Sequence, residues 1–256
     1  MALMKTSNPA LGDKTFQELA RNPSASLGDV AERMTLNGTV NKTGLLLICA
    51  VGTASWTWHQ FVRTRDVADI APLMIGGLIG GLIFAMITIF KREWAPVTAP
   101  VYALLEGLVL GGVSAISEVR YPGIGMEAVS LTFGTLFVLL LAYRSGLIPV
   151  TQKMQLGIIA ATGGVAVFYL LEMVLGIFGF HFASINGSGA IGIGFSLVVV
   201  AIAALNLVLD FDFIEKGVQV GAPKYMEWYG AFGIMVTLVW LYLEILRLLS
   251  KMRSRN

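Results

Sequence analysis

The sequence predicts an all-α, polytopic membrane protein with seven transmembrane helices. Of its 256 residues, 56% are hydrophobic and only 13% are charged, and the mean hydropathy is +0.76. That leaves too little polar surface to cover a soluble globule. Several apolar stretches approach the ~20 residues that a helix needs to cross ~30 Å of hydrocarbon. Polar and apolar residues do not alternate with a period of two, so helices rather than barrel strands are expected to satisfy the backbone in lipid.

Seven apolar segments are separated by more polar connections. They cover residues 44–61, 70–90, 95–117, 128–143, 155–180, 189–209 and 228–249. The first and the fourth are short for a crossing, and the others are long enough. We therefore expect one seven-helix transmembrane domain over residues 44–249, followed by a basic tail at residues 250–256.

The first 43 residues are polar and carry both signs of charge, with one short helical pattern at residues 15–21. They are too long for the charged start of a signal peptide, so we expect no cleaved signal and a flexible tail. Basic residues are more numerous on the side of the membrane that holds this tail. The positive-inside rule then places the N-terminus in the cytoplasm, in the inner or plasma membrane.

Composition also argues against several classes of function. The net charge is +2 and the basic residues are spread over tails and loops, which gives no electrostatic case for nucleic acid. The single cysteine, Cys49, cannot form an internal disulfide. The sequence has no metal-ligand cluster, phosphate loop or nicotinamide fingerprint, so we expect neither an enzyme nor a bound cofactor.

Two late apolar segments carry acids. Asp210 and Asp212 lie in LNLVLDFDFIE, and Glu244 lies in VWLYLEILRLL. An ionised carboxylate in the middle of a membrane costs about 3 kcal/mol or more unless it faces a partner or water. Asp210 and Glu244 are therefore candidate residues for a pH-controlled gate and for ion binding.

Helical geometry separates the roles of the two aspartates. Asp210 and Asp212 lie roughly 200° apart around a helix, so they cannot face the same neighbour. Asn206 precedes Asp210 by one turn and extends its polar side into the membrane. We expect Asp210 to point inward and Asp212 to lie near the interface beside Lys216. The alternative is that both aspartates simply solvate the cytoplasmic end of the helix.

Glu244 also has two interpretations. Arg247 follows it by three residues and could form a purely structural ion pair. Alternatively, Glu244 meets Asp210 across the helix interface, where two close carboxylates would share a proton and titrate as a unit. The two meet only if the sixth helix continues to about Lys216 and the seventh begins later than Trp228.

Further polar and small residues lie inside the spans. Glu106 sits in the middle of the third segment without a local partner, so we expect it to face a cavity or another helix, and it is a third candidate for the gate. Glu172 is similar but nearer a span end, and His181 is expected to be an ordinary interfacial residue. The GxxxG patterns, which predict close helix packing, involve Gly76, Gly77, Gly80, Gly81, Gly107 and Gly111.

Four stretches resemble the Bax inhibitor family of membrane proteins, the transmembrane Bax inhibitor motif or YccA-like group, in a bacterial branch. They are LVLDFDFIEKG, LYLEILRLL, ALLEGLVLGGVS and MTLNGTVNKTGLLL, and the resemblance runs over about residues 35–249. It implies a bundle in which six helices surround a central seventh helix. For some bacterial members it also implies a pH-sensitive calcium leak controlled by an aspartate pair.

Carried over by position, the resemblance assigns the paired acids to Asp210 and Glu244. The sequence departs from the leak pattern in having glutamate at 244, a longer loop between the last two spans and an added acid, Glu106. We expect a calcium leak or exchanger with calcium as its transported ion, because carboxylate oxygens suit this hard cation. The alternative is a non-conducting regulator that binds a membrane protease or translocon through its glycine-rich helix faces and N-terminal tail.

Overall fold

The part of the chain that the structure describes forms seven long helices. The computed structural model describes residues 33–180 and 182–255. The helices are α1 (Leu36–Thr64), α2 (Val67–Phe90), α3 (Ala95–Arg120), α4 (Ile124–Arg144), α5 (Gln152–Ile177), α6 (Ala190–Gln219) and α7 (Met226–Arg253). A 3₁₀ turn, Arg92–Trp94, precedes α3, and a one-turn helix, Ala183–Asn186, lies between α5 and α6. All seven long helices have the length and hydropathy of membrane spans, which confirms the fold class.

Several helices extend beyond their apolar segments. α1 begins at Leu36 because Thr35 caps it, its hydroxyl accepting a hydrogen bond from the Gly38 amide. α6 continues to Gln219, well past its last continuous apolar residues. The short helical pattern at residues 15–21 and the histidine at 181 lie outside the described residues.

The C-terminal helix α7 is the centre of the bundle. In its apolar window 61% of the residues are buried, against 11% in α5. Leu241 and Met235 of α7 are almost completely buried, together with Leu207 of α6 and Leu46 of α1. The central position implied for the last helix is therefore confirmed.

The first three helices pack closely through glycines. A Cβ atom at Gly111 of α3 would lie 2.7 Å from Ala54 Cα of α1, and one at Gly77 of α2 would lie 2.6 Å from the Leu105 carbonyl oxygen. Such approaches exclude any side chain, so the close packing predicted from GxxxG is confirmed at these positions. Gly76, by contrast, has open space around it.

The start of α1 and the start of α7 are joined at one end of the bundle, which we call the N-terminal end. Residues 220–225 form the short turn between α6 and α7, and Arg33 makes an isolated antiparallel bridge with Pro223. The Met34 amide donates to the Ala222 carbonyl at 2.7 Å. This contact fixes where α1 begins relative to α7.

Candidate functional site

Asp210 lies on α6 against the first half of α7. A Cβ atom built at Gly233 would be 3.7 Å from Asp210 Oδ1, and Thr237 places a hydroxyl beside the carboxylate. The small residue at 233 leaves room for the acid. Among the described residues, Asp210 Oδ2 is the one buried side-chain nitrogen or oxygen without a hydrogen-bond partner. Leaving such an atom unpaired costs about 1–3 kcal/mol, so its presence asks for an explanation.

Glu244 is buried on α7 but well partnered. It is 3% exposed, and the Tyr169 hydroxyl of α5 donates to its Oε1 at 3.0 Å. Arg247 Nη1 lies 3.3 Å from the same oxygen, so the local ion pair predicted from sequence is formed. The Arg247 guanidinium also lies over the Tyr169 ring, 4.9 Å from its centroid.

Asp210 and Glu244 occupy different levels of the bundle. Glu244 is about 16 Å farther along α7 than Gly233, the residue that faces Asp210, at about 1.5 Å per residue. The fully buried side chains of Ala203, Leu207 and Leu241 lie between the two levels. The hydrogen-bonded pair expected from sequence is therefore not formed in this structure. α6 does continue past Lys216, but α7 begins at Met226 rather than later, so Asp210 meets the wrong part of α7 for pairing.

The remaining aspartate and the asparagine connect α6 to α5. Lys216 Nζ lies 2.6 Å from Asp212 Oδ2, as the spacing predicts, and Gln155 of α5 donates to the same oxygen at 2.9 Å. Asn206 donates to the Thr162 hydroxyl of α5 at 2.8 Å and also to the Ile202 carbonyl. Both supporting residues thus hold α5 instead of extending the surroundings of Asp210.

Glu106 faces α2. Its Oε2 lies 3.0 Å from the position that a Cβ atom at Gly81 would take, so the glycine makes space for the carboxylate. The residue is half-buried, as expected for an acid that faces another helix. Asp210 and Glu244 lie on the α6–α7 side of the bundle, so the three candidate acids have three separate surroundings.

Glu227, which the sequence reasoning missed, is a fully buried acid at the start of α7. Its Oε1 accepts from the Thr35 amide at 2.9 Å and from the Thr35 hydroxyl at 2.8 Å. Its Oε2 pairs with Lys42 of α1, and Gly38 gives the carboxylate room. Glu227 was hard to find from the sequence, because it lies in a polar connection, where an acidic residue does not indicate a buried site.

The polar stripes that link α5, α6 and α7 were also missed. Gln155, Thr162 and Tyr169 recur every seven residues on α5, and each bonds to α6 or α7. Thr237, Glu244 and Lys251 recur with the same spacing on α7. Seven residues are nearly two helical turns, so each set lies on one face. This regularity in apolar spans is the signal that could have found them.

The described part of the chain does not bring three His, Cys, Asp or Glu residues together in a group that could hold a metal ion.

This fold, together with the polar stripes of α5 and α7, defines a seven-helix integral membrane protein organised around its last helix, α7. The model of the Bax inhibitor 1 like family matches residues 8–254, nearly the whole chain. The protein belongs to this family. No curated protein and no solved structure matches the chain significantly.

Proposed function

We propose that this protein is a pH-sensitive leak pathway for cations, calcium foremost, in which Asp210 is the proton-linked gate. The single observation that carries the proposal is the buried, unpaired Oδ2 of Asp210 between α6 and α7. A polar atom kept unpaired inside a membrane protein at a cost is a functional-site hypothesis by default.

We interpret the structure as the closed state of this pathway, because Ala203, Leu207 and Leu241 form an apolar layer across it. These side chains are completely buried and separate Asp210 from Glu244, so a hydrated ion has no continuous polar route between the two acids. With Asp210 protonated, this dry packing is compatible with the carboxyl group. Ionisation would demand water around Asp210, and wetting of the layer would open the route toward Glu244.

The route beyond the apolar layer is polar. Glu244 and Tyr169 lie there, and α5, the helix that supplies Tyr169, is the least buried of the seven. Displacement of α5 would free the Glu244 carboxylate for a cation. Oxygen ligands suit calcium, which we propose as the transported ion.

Calcium flux into proteoliposomes of purified protein tests the proposal. We expect flux in the wild type to rise between about pH 6 and about pH 8, by at most about tenfold per pH unit for control by one proton. Glu244→Gln should lower the flux at each pH while leaving its pH dependence in place, because Glu244 is on the route but not at the gate. Flux no greater than in empty liposomes at any pH would remove the leak function.

Such a loss of flux would favour the non-conducting regulator. Removal of residues 2–32, which keeps the contacts of Met34 and Thr35, separates the two functions. A leak should keep its flux after the deletion. A regulator that uses the tail should lose co-purification with its membrane protease or translocon.

We also propose that the N-terminal end of the bundle faces the cytoplasm in the inner or plasma membrane. The connections at that end carry basic side chains, namely Lys91, Arg92, Arg144, Lys153, Lys216 and Lys224. A cysteine introduced at Lys153 should react with a membrane-impermeant reagent only after the cells are opened. Labelling in intact cells would reverse the orientation.

A further inference from the structure

Lys251, near the end of α7, holds its ammonium group inside a cage of oxygen atoms. The residue is 8% exposed. Its Nζ donates to the Ile185 carbonyl at 2.8 Å, to the Ser196 hydroxyl at 2.9 Å and to the Gly192 carbonyl at 3.2 Å. These oxygens come from the one-turn helix before α6 and from the first turns of α6, so two parts of the chain converge on one positive charge carried by α7.

Gly192 makes the convergence possible. A Cβ atom at this position would collide with the Gly187 carbonyl oxygen and would lie 2.8 Å from the Ile185 carbonyl oxygen. Carbonyl dipoles that point toward one another repel, and a cation among them relieves that repulsion, as it does in ion filters lined by backbone carbonyls. The glycine thus allows the close approach of the Ile185 carbonyl, one of the oxygens that accept from the Lys251 ammonium group.

The geometry selects the kind of cation. The three oxygens that accept from Lys251 are neutral, and they lie 2.8–3.2 Å from the ammonium nitrogen. Calcium prefers about six to eight oxygens, with carboxylates among them, at about 2.3–2.6 Å. The cage is too wide and too weakly charged for calcium, and it suits a monovalent ion of the size of ammonium or potassium.

We propose that this cage is a monovalent-cation site at the end of the bundle opposite Glu227, and that Lys251 occupies it as a tethered cation. The side chain competes with free ions and keeps the site filled. A chain that lacks the Lys251 charge should then accept a free cation in the same place. The inference is independent of the proposed leak, because it concerns binding and not conduction.

Rubidium, a stand-in for potassium, provides the direct test. Lys251→Met removes the charge and keeps most of the apolar stem. In equilibrium dialysis with radioactive rubidium, we expect Lys251→Met to bind about one ion per chain and the wild type to bind none. Adding Ser196→Ala should weaken binding by about tenfold, since it removes one ligand of the ion. Lys153→Met, at an exposed lysine, is the matched control and should behave like the wild type.

Thermal unfolding in detergent provides a second measurement of cation binding if the variants are too unstable for dialysis. Lys251→Met and the more polar Lys251→Gln should both be stabilised by rubidium or potassium chloride relative to choline chloride at equal ionic strength, and the wild type should not. Excess calcium should not displace the bound rubidium. The proposal is overturned if Lys251→Met binds no more rubidium than the wild type, or if the variants unfold at the same temperature in rubidium and in choline. Lys251 would then have a structural role only.

Discussion

Tyr169 of α5 donates its hydroxyl to Glu244 of α7 at 3.0 Å, and Arg247 Nη1 lies 2.5 Å from the same hydroxyl oxygen. This contact is one of three polar attachments of α5 that repeat every seven residues. Only 11% of the apolar window of α5 is buried, so these hydrogen bonds add to a small amount of apolar packing, which includes the rings of Phe168 and Tyr169 against Phe195. α5 is therefore the helix that can leave with the least loss of packing.

Tyr169→Phe should loosen α5 without disturbing the core. The substitution removes the hydroxyl between Glu244 and Arg247 and leaves their direct ion pair in place, at a cost of about 1 kcal/mol. We expect amide hydrogen exchange in residues 165–177 to accelerate about fivefold, while α7 keeps its protection. Tyr229→Phe, whose ring packs on Phe213 and Phe232, is the control. Equal exchange in wild type and Tyr169→Phe would show that packing alone holds α5.

Glu227→Gln should destabilise the protein. The glutamine amide carries no charge, so the ion pair between Glu227 and Lys42 of α1 would be lost. The Lys42 ammonium group would then lie beside a neutral group inside the protein. We expect the free energy of unfolding to fall by about 2 kcal/mol, below the usual 3–5 for a broken buried pair because the Lys42 side chain keeps 19% exposure.

Unfolding by heat or detergent in matched buffers measures the Glu227→Gln effect. Glu127→Gln is the comparison, since Glu127 is 52% exposed in its pair with Arg253 and should cost less than about 1 kcal/mol. If both variants lost equal stability, the buried carboxylate would not be the anchor between α1 and α7.

Gly107→Ala should separate α1 from α3. Its new methyl group would lie 2.8 Å from Ala50 Cα and even closer to the Thr53 hydroxyl, so the two backbones must move apart. We expect a loss of about 1–3 kcal/mol. Gly134→Ala on α4, where nothing lies within 4 Å, should be neutral or stabilising by up to about 1 kcal/mol. The ranking of the two unfolding midpoints checks this, and a stable Gly107→Ala protein would contradict it.

The sequence predicted the fold well because membrane spans follow from hydropathy and length. It placed all seven helices, and it identified the close contacts at Gly77 and Gly111 from small-residue spacing. The beginning of α1 was harder. Its first turns are polar, and they are helical because Thr35 caps them and Glu227 anchors them, a contact between residues far apart in the chain.

The candidate site was predicted only in part, because pairing depends on helix register. The acids Asp210 and Glu244 were evident from their apolar surroundings, and so was the local partner of Glu244. Which level of α7 faces Asp210 depends on the length of the turn at residues 220–225, which hydropathy does not define. The link from Glu244 to Tyr169 joins distant segments, and only a seven-residue polar repeat on α5 hints at it.

The pH profile of calcium flux in Asp210→Asn tests whether Asp210 is the proton-linked gate. An asparagine fills the same space beside Gly233 but cannot ionise, so we expect its flux to be constant between about pH 6 and about pH 8, while the flux of the wild type and of Asp212→Asn rises with pH. A flux in Asp210→Asn that rises with pH as steeply as in the wild type would show that the gate is elsewhere.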